Sequence, residues 1–160
     1  MQAEFRDAVP DDAEPLAQLW HSGWQDAHHG LLPAELTRQR TARSFLDRMN
    51  EHLADVRVAA AAGRPLGFAM FKDDELYQFY VSAEARGTGI AALLMRDAES
   101  TMRSRGVKNA WLACAIGNER AARFYAKQGW QLIGNKVIEV TIPGGLFPLE
   151  VWRYEKQLGV

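Results

Sequence analysis

Several features are scarce or missing in this chain of 160 residues, and each absence removes a class of protein. Its one cysteine, Cys114, cannot form a disulfide within the chain and is typical of the reducing cytoplasm. The 19 basic residues nearly balance the 20 acidic ones, so no net positive charge favours nucleic acid or an anionic membrane. No apolar run approaches the about 20 residues that cross a bilayer, and Glu4, Arg6 and Asp7 stand where a signal peptide would be apolar. We therefore expect a cytoplasmic protein without nucleic-acid or membrane partners.

What is present is typical of one globular domain. Apolar residues make up 48% of the chain, which is enough for a packed core. The length fits one domain covering residues 1–160, and no repeat, low-complexity segment or long linker divides it.

Strand-like and helix-like patterns alternate along the chain. Strands are expected at residues 4–9, 55–61, 66–72, 75–81, 110–116, 131–142 and 149–156. Four helices are expected: one starts at residues 10–15 and ends before Gly30, one runs from Leu36 to about Asn50, and two span residues 90–105 and 119–128. Strands and helices alternate in the middle and hairpins lie at both ends, which predicts a mixed α/β sheet of seven strands.

The second expected helix carries four arginines between its apolar residues. They are Arg38, Arg40, Arg43 and Arg48. Because Leu36, Phe45 and Met49 mark the apolar side of this helix, we expect the arginines on its solvent-exposed side.

The most informative segment is the turn at residues 86–91, Arg-Gly-Thr-Gly-Ile-Ala, which follows an apolar strand and opens a helix. A strand that runs through glycines into a helix leaves several backbone N–H groups unpaired at one helix end, and such an end binds phosphate oxygens. Glycine lets a ligand approach the backbone closely. The turn therefore predicts a phosphorylated cofactor.

Two other phosphate-binding patterns do not fit this turn. It is not the Gly-x-Gly-x-x-Gly of a dinucleotide fold, and no Gly-Lys-Ser/Thr follows it as in a Walker loop. The acidic residue expected about 20 positions on is missing, since residues 105–107 are Arg-Gly-Val. A nucleotide-dependent kinase or oxidoreductase is therefore disfavoured.

The turn is similar to the Gln/Arg-x-x-Gly-x-Gly/Ala signature of the GNAT superfamily of acyl-CoA N-acyltransferases, with Arg86, Gly89 and Ala91 at the matching positions. Residues 118–130 resemble a second GNAT hallmark, Asn-x-x-Ala-x-x-Phe-Tyr-x-x-x-Gly-Phe, in which Trp130 replaces the last Phe. The two hallmarks occur in the family's order, and the resemblance covers nearly the whole chain. It departs in small ways, since Ala83 stands where many members have Pro.

This resemblance implies a GNAT fold in which the fourth and fifth strands of a mostly antiparallel sheet splay apart to hold acetyl-CoA. The pantetheine arm would pair with the backbone of the fourth strand, and the diphosphate would lie on N–H groups of the glycine-rich turn. The implied cofactor-binding residues are Phe79, Tyr80, Val81, Arg86, Gly87, Thr88, Gly89, Ile90, Ala91, Asn118 and Tyr125. No metal is expected.

The resemblance also implies direct transfer, in which a neutral amine attacks the thioester. Tyr125 resembles the family's general acid, which protonates or hydrogen-bonds to the departing thiolate. Glu75 is the first candidate for the base, His28 or His29 is an alternative, and solvent alone could also serve. Cys114 lies in an apolar strand without an obvious neighbouring base, so an acyl-cysteine route is disfavoured.

The acceptor site is expected where relatives have it, around the junction of the first two helices. The residues that would line it are Trp24, His28, His29, Leu31, Tyr77 and Phe147. These side chains predict an aromatic pocket for a small, partly apolar amine. The acidic run at residues 73–75 could attract a polyamine, although a solvated turn explains it equally well.

The resemblance thus predicts an acetyl-CoA-dependent N-acetyltransferase acting on a small-molecule amine. A protein amine stays open as the acceptor. A different class also stays open, in which the GNAT fold binds acyl-CoA as a non-catalytic sensor or interaction module. Homodimers are common in relatives, so a homodimer is possible here.

Overall fold

A computed structural model describes residues 2–159 of the protein. Seven strands and five α-helices lie in this range. In chain order they are β1 (Glu4–Asp7), α1 (Ala13–His28), α2 (Ala34–Gln39), α3 (Ala42–His52), β2 (Val56–Ala61), β3 (Arg64–Lys72), β4 (Glu75–Val81), α4 (Ile90–Ser104), β5 (Asn109–Ala115), α5 (Glu119–Lys127), β6 (Gln131–Ile142) and β7 (Gly145–Gln157). The mixed α/β architecture predicted from the sequence is confirmed. None of the helices within residues 2–159 combines the length and the apolar character needed to cross a membrane.

All seven strands form one sheet in the order β1-β2-β3-β4-β5-β7-β6. Every neighbouring pair is antiparallel except β4 and β5, which are parallel. These two strands pair at a single register, Glu75 with Trp111, and the Trp111 N–H also donates to the Asp74 carbonyl at 3.1 Å. Beyond that point β4 and β5 separate, so the predicted splay is confirmed and a cleft opens between their carboxyl ends.

The alternation of side chains along β3 explains why helices cover both faces of the sheet. Phe68 and Met70 point to one face and pack with Trp20 of α1 and Phe45 of α3. Ala69 and Phe71 point to the other face, where they join the buried side chains of α4 and α5. Burying each large apolar side chain contributes about 1.5–3 kcal/mol, so these two clusters fix the helices on their faces.

The helix expected between residues 36 and 50 is two helices, and this changes the position of two arginines. Arg40 ends α2, and Thr41 is extended and caps α3, with its Oγ1 accepting the Ser44 N–H at 3.2 Å. Because the chain changes direction here, Arg40 is turned inward and is only 7% exposed, and Arg48 is half-buried. The prediction of a solvent-exposed position is therefore wrong for Arg40 and Arg48, whereas Arg38 and Arg43 are exposed.

The β6–β7 hairpin is longer than expected, because β7 begins at Gly145 and pairs with β6 back to Gln131. β6 is the edge of the sheet and exposes apolar side chains, Leu132 and Val137 among them. An unpaired apolar edge is a surface to which a second chain can add. The homodimer stays a prediction.

Candidate active site

The space between β4 and β5 is a cleft of about 350 Å³ that adjoins a smaller cavity of about 110 Å³. β4, the glycine-rich turn, the end of β5 and the start of α5 form the walls of the cleft. The small cavity lies between α1, α2, α3 and the β6–β7 hairpin. Six residues line both spaces, namely His28, Tyr77, Gln78, Tyr80, Ala113 and Ala115. The two spaces therefore meet beside the middle of β4.

The backbone of β4 offers hydrogen-bonding groups to the cleft at alternate residues. The Ser82 N–H donates to the Leu66 carbonyl of the neighbouring strand at 2.7 Å. Since backbone groups alternate sides along a strand, Tyr80 also pairs with β3, while Phe79 and Val81 direct theirs toward the cleft. Of the three residues predicted to offer backbone to pantetheine, Tyr80 is thus the one whose backbone is occupied.

Tyr77 is an extra residue in the β3–β4 ladder. Gln78 lies opposite Met70 and Leu76 lies opposite Phe71, so Tyr77 has no partner in the register. A bulge of this kind bends a strand and redirects its side chains. It comes directly after the last pairing of β4 with β5, and it places Tyr77 where the cleft and the small cavity meet.

The glycine-rich turn presents three free amides to the cleft. Gly87, Gly89 and Ala91 line it, and within residues 2–159 no carbonyl or side chain accepts their N–H groups. Gly87 and Gly89 have φ of +76° and +86°, a left-handed conformation that glycine adopts without strain. Three unpaired donors at the N-terminus of the long helix α4 form a site for an anion.

Thr88 and Ile90 do not share this arrangement. The Thr88 N–H donates to the Ala85 carbonyl at 3.3 Å, and the Ile90 N–H donates to Thr88 Oγ1 at 3.4 Å. Neither residue lines the cleft. The turn therefore alternates between amides that face the cleft and amides that hold the turn together, an alternation that the motif alone does not reveal.

Arg86 lies at the mouth of the cleft and is already paired. It donates to Asp26 of α1 at 2.6 Å, and Arg120 of α5 donates to the same carboxylate at 3.1 Å. The hydrogen bond from Arg86 lowers the pKa of Asp26, with Arg120 adding to the effect. A phosphate at this mouth would have to compete with Asp26 for both arginines.

Tyr125 lines the cleft beside Cys114, and burial determines the protonation of both. Burial raises the pKa of the Tyr125 phenol well above its usual range. It raises the pKa of the Cys114 thiol to about 12. Both groups therefore stay neutral near pH 7, so the phenol can donate a hydrogen bond and the thiol is a poor nucleophile.

Asn118 also lines the cleft and caps α5, with its Oδ1 accepting the Ala121 N–H at 3.3 Å. The cap uses the oxygen of the side chain. The amide nitrogen of Asn118 is therefore left to donate to a ligand in the cleft.

Glu75 and His28 are the candidate bases in the small cavity, and their pKa values move in opposite directions. Burial is the main cause of the rise in the pKa of Glu75 to about 7, which Asp73 and Asp74 support and Lys72 opposes. Burial lowers the pKa of His28 to about 4. The His28 Nδ1 lies 3.0 Å from the Trp24 carbonyl and donates to it, which leaves Nε2 as an acceptor. Glu75 is thus the base that titrates nearest neutral pH.

The structure brings together three of the six residues predicted for the acceptor pocket. Trp24, His28 and Tyr77 line the small cavity, whereas His29, Leu31 and Phe147 do not. His29 is exposed, and Leu31 packs over Gly117, where an added Cβ would lie 2.9 Å from Leu31 Cδ2. Phe147 lies on β7 beyond the residues of that strand that line the cavity.

Sequence reasoning missed other residues of this cavity. They are Leu36, Arg40, Arg48, Gln78, Ala113, Ala115, Ile138, Val140, Leu149 and Val151. The Thr41 cap was the available signal for Arg40, because a Thr at an N-cap ends one helix and starts the next. Among residues 2–159, no three His, Cys, Asp or Glu side chains lie together in a way that could hold a metal ion.

Solved structures with the same fold come from several organisms. A GCN5-related N-acetyltransferase from Rhodopseudomonas palustris matches 98% of this chain and 96% of its own, with a TM-score of 0.74 and 21% identity. The PaiA N-acetyltransferase from Thermoplasma acidophilum, solved in complex with coenzyme A, matches 98% of this chain and 99% of its own, with a TM-score of 0.67 and 22% identity.

Sequence comparison identifies the family. An uncharacterized N-acetyltransferase of Mycobacterium tuberculosis is 35% identical over 112 residues, which cover 61% of this chain and 72% of that protein. An uncharacterized N-acetyltransferase of Archaeoglobus fulgidus is 31% identical over 137 residues, 78% of this chain and 90% of that protein. The model of the acetyltransferase (GNAT) family matches residues 13–130. The chain therefore belongs to the GNAT acetyltransferase family.

Proposed function

We propose that this protein transfers an acetyl group from acetyl-CoA to the primary amine of a small molecule, by direct attack within a ternary complex. The observation that carries the proposal is the junction of two spaces. A cleft with three free amides at a helix N-terminus opens beside a small cavity that holds a carboxyl group with a pKa near 7. One space fits a diphosphate-bearing cofactor, and the other fits an amine.

In this proposal, backbone N–H and C=O groups of the protein that face the cleft hold the cofactor. The diphosphate accepts hydrogen bonds from the amides of Gly87, Gly89 and Ala91. The pantetheine arm pairs with the free backbone groups of Phe79 and Val81 and adds to the sheet where β5 has moved away. The Thermoplasma acidophilum neighbour, which has the same fold, was solved in complex with coenzyme A, and this supports coenzyme A as the ligand.

The acetyl group changes partners where the cleft meets the small cavity. The amine nitrogen forms a bond to the thioester carbon, and the carbon–sulfur bond breaks. The proton lost by the amine passes to Glu75, directly or through water, and the sulfur leaves as a thiolate that accepts a hydrogen bond from Tyr125. Holding the two reactants together supplies much of the rate, and in this proposal a backbone N–H near Val81 polarises the carbonyl oxygen.

The raised pKa of Tyr125 limits its role to donating a hydrogen bond, without transfer of the proton. A reference phenol has a pKa of about 10 and a thiol about 8.5, so full proton transfer to a free thiolate is unfavourable. Burial widens that gap for Tyr125. The phenol therefore stabilises the leaving sulfur through a hydrogen bond, and solvent delivers the proton once coenzyme A departs.

The pH dependence of acetyl transfer tests the role of Glu75. Because the carboxylate is the active form and its pKa is about 7, kcat/KM should rise with pH through an apparent pKa near 7. Glu75→Gln should lower kcat/KM about 100-fold at pH 8 and remove that limb of the profile. Steady-state rates between pH 5.5 and 9, with an acceptor whose amine pKa is known, would measure it.

Glu139→Gln provides the matched control, since Glu139 is an exposed strand carboxylate that lines neither space. Stability gives a second readout with a defined sign. The pKa of Glu75 is raised in the folded protein, from 4.5 to about 7. The free energy of unfolding should therefore decrease as the pH rises from about 4.5 to about 7. Glu75→Gln should remove this decrease. An unchanged pH–rate profile in Glu75→Gln would assign the base to His28 or to solvent.

Release of free thiol in the presence of a panel of primary amines tests the function as a whole. We expect release that depends on both acetyl-CoA and an amine, and mass spectrometry should find the acetyl group on nitrogen. A peptide with a free N-terminus belongs in the panel as the protein-amine alternative. Tight binding of coenzyme A with no turnover of any amine would favour the non-catalytic sensor.

A further inference from the structure

The small cavity holds a cluster of two arginines without a counter-ion. Arg40 and Arg48 both line it, and neither forms a salt bridge with any carboxylate in residues 2–159. The Arg40 Nη1 and the Arg48 Nε and Nη1 are buried and lack a hydrogen-bond partner. Each guanidinium carries five N–H donors, and buried donors normally have hydrogen-bond partners. Two neighbouring arginines with unpartnered nitrogens are therefore unusual.

The other buried charged side chains are paired, whereas Arg40 is not. Across residues 2–159 three charged side chains are buried, Asp12, Arg40 and Glu99. Asp12 accepts from Arg6 at 2.7 Å, and Glu99 accepts from Lys156 at 2.9 Å. Arg40 has no such partner. A buried charge is normally paired because removing it from water costs several kcal/mol.

The environment shows how the protein tolerates these two cations. The Arg48 guanidinium lies 4.3 Å from the Trp20 ring, a cation–π contact that replaces part of its hydration, and it lies 3.5 Å from the Tyr77 hydroxyl. Burial and the nearby charge of Arg48 lower the pKa of Arg40 to about 10. Arg40 therefore remains charged near pH 7, at a cost that an added anion would relieve.

Glu75 lines the same cavity but does not neutralise the arginines. The charged groups that act on Glu75 are Lys72, Asp73, Asp74 and Arg153. The charged side chain that acts on Arg40 is Arg48. The cavity thus contains a cationic part and a carboxyl part that do not pair with each other. Apolar side chains, including Leu36, Ile138 and Leu149, also line the cavity.

We propose that the acceptor is a small amino acid with an apolar side chain, whose carboxylate binds Arg40 and Arg48 while its amine faces Glu75 and the thioester. This inference rests on the proposed function and names its substrate class. A guanidinium binds a carboxylate through two parallel hydrogen bonds, which suits a planar anion in a cavity of about 110 Å³. Two fixed cations would also repel a diamine or polyamine from the same space.

Matched acceptors isolate the contribution of the carboxylate. Leucine, leucinamide and 3-methylbutylamine share the same apolar group and carry a carboxylate, a neutral amide and a hydrogen, respectively, on the carbon that bears the amine. Wild-type protein should prefer leucine in kcat/KM by about 10- to 100-fold, the range expected for charge-assisted hydrogen bonds. In Arg40→Met and Arg48→Met the ratio of kcat/KM for leucine to that for leucinamide should fall about 10- to 100-fold below the wild-type ratio, chiefly through a higher KM for leucine. Each ratio uses the same acceptors, so differences in their amine pKa cancel between variants.

Stability separates this role from a structural one. Replacing an unpaired buried charge with an apolar side chain of similar length should leave the melting temperature unchanged or raise it. A structural arginine would instead lower the melting temperature and slow all three acceptors alike. Arg43→Met is the control. Arg43 lies on the exposed side of α3, the helix that contains Arg48, and it pairs with Asp47.

Calorimetry with leucine and leucinamide in the presence of coenzyme A keeps this inference distinct from the proposed function. Leucine binding that Arg40→Met weakens, without acetyl transfer to any acceptor, would support the inference and contradict the proposed function. A leucine-to-leucinamide ratio of kcat/KM that is the same in wild type and in Arg40→Met would overturn the inference and leave the function standing. An absence of both leucine binding and turnover would overturn the inference as well.

Discussion

Gly89→Glu should weaken coenzyme A binding by at least about 100-fold. The new carboxylate would stand between two of the free amides, where the diphosphate is proposed to lie, and would repel it in a partly desolvated cleft. The folded protein itself has room for the change, since no atom lies within 4 Å of a Cβ built on Gly89. Isothermal titration calorimetry with coenzyme A would measure the loss.

Gly106→Glu is a closely matched control for this substitution. Gly106 also has φ of +86° and open space around its Cβ position, but it lies beyond the far end of α4. The backbone strain of a non-glycine residue at positive φ is therefore similar in both variants. Gly106→Glu should lower stability and leave coenzyme A affinity unchanged. Equal affinity in the two variants would contradict the assignment of the diphosphate to this turn.

Tyr125→Phe should lower kcat about 100-fold and change the affinity for acetyl-CoA by less than about threefold. The hydroxyl is proposed to act on the leaving sulfur, where charge develops during the reaction, so its contribution appears mainly in the transition state. The phenylalanine ring retains the packing against Phe124, 5.7 Å away, and Tyr154, 5.9 Å away. Steady-state kinetics together with calorimetry would separate the two effects.

Tyr154→Phe tests whether any hydroxyl in this cluster has the same effect. Tyr154 is buried next to Tyr125 but lines neither the cleft nor the small cavity. Removal of the Tyr154 hydroxyl should alter the stability of the protein and leave kcat within about twofold of wild type. If Tyr125→Phe retains the full rate, another group or solvent stabilises the leaving sulfur. A thioester analogue with a more acidic thiol should partly rescue Tyr125→Phe, because such a leaving group needs less stabilisation.

Elements with strong local signals were predicted well from the sequence. The bounds expected for the strands at residues 75–81 and 131–142 are those observed, and α4 begins at Ile90 directly after the glycine turn. These elements have turn residues or glycines at their ends, so local chemistry fixes where they start and stop. The splay of β4 and β5 came from the family resemblance, because it depends on which strands pair over long distances.

The cavity residues were harder to predict because tertiary packing determines them. Periodicity placed Arg40 on an exposed helix side, whereas the cap at Thr41 breaks that helix and turns Arg40 inward. The exposed or buried position of Phe147 depends on how far the hairpin extends past the cavity, which no local pattern encodes. The free and occupied amides of the glycine turn likewise follow from the path of the folded backbone.

The crystal structure of the protein with acetyl-CoA tests the central claim most directly. We expect diphosphate oxygens within about 3 Å of the amide nitrogens of Gly87, Gly89 and Ala91, and the thioester at the junction of the cleft with the small cavity. A coenzyme bound elsewhere, or a cleft that stays empty in crystals soaked with millimolar acetyl-CoA, would contradict the account.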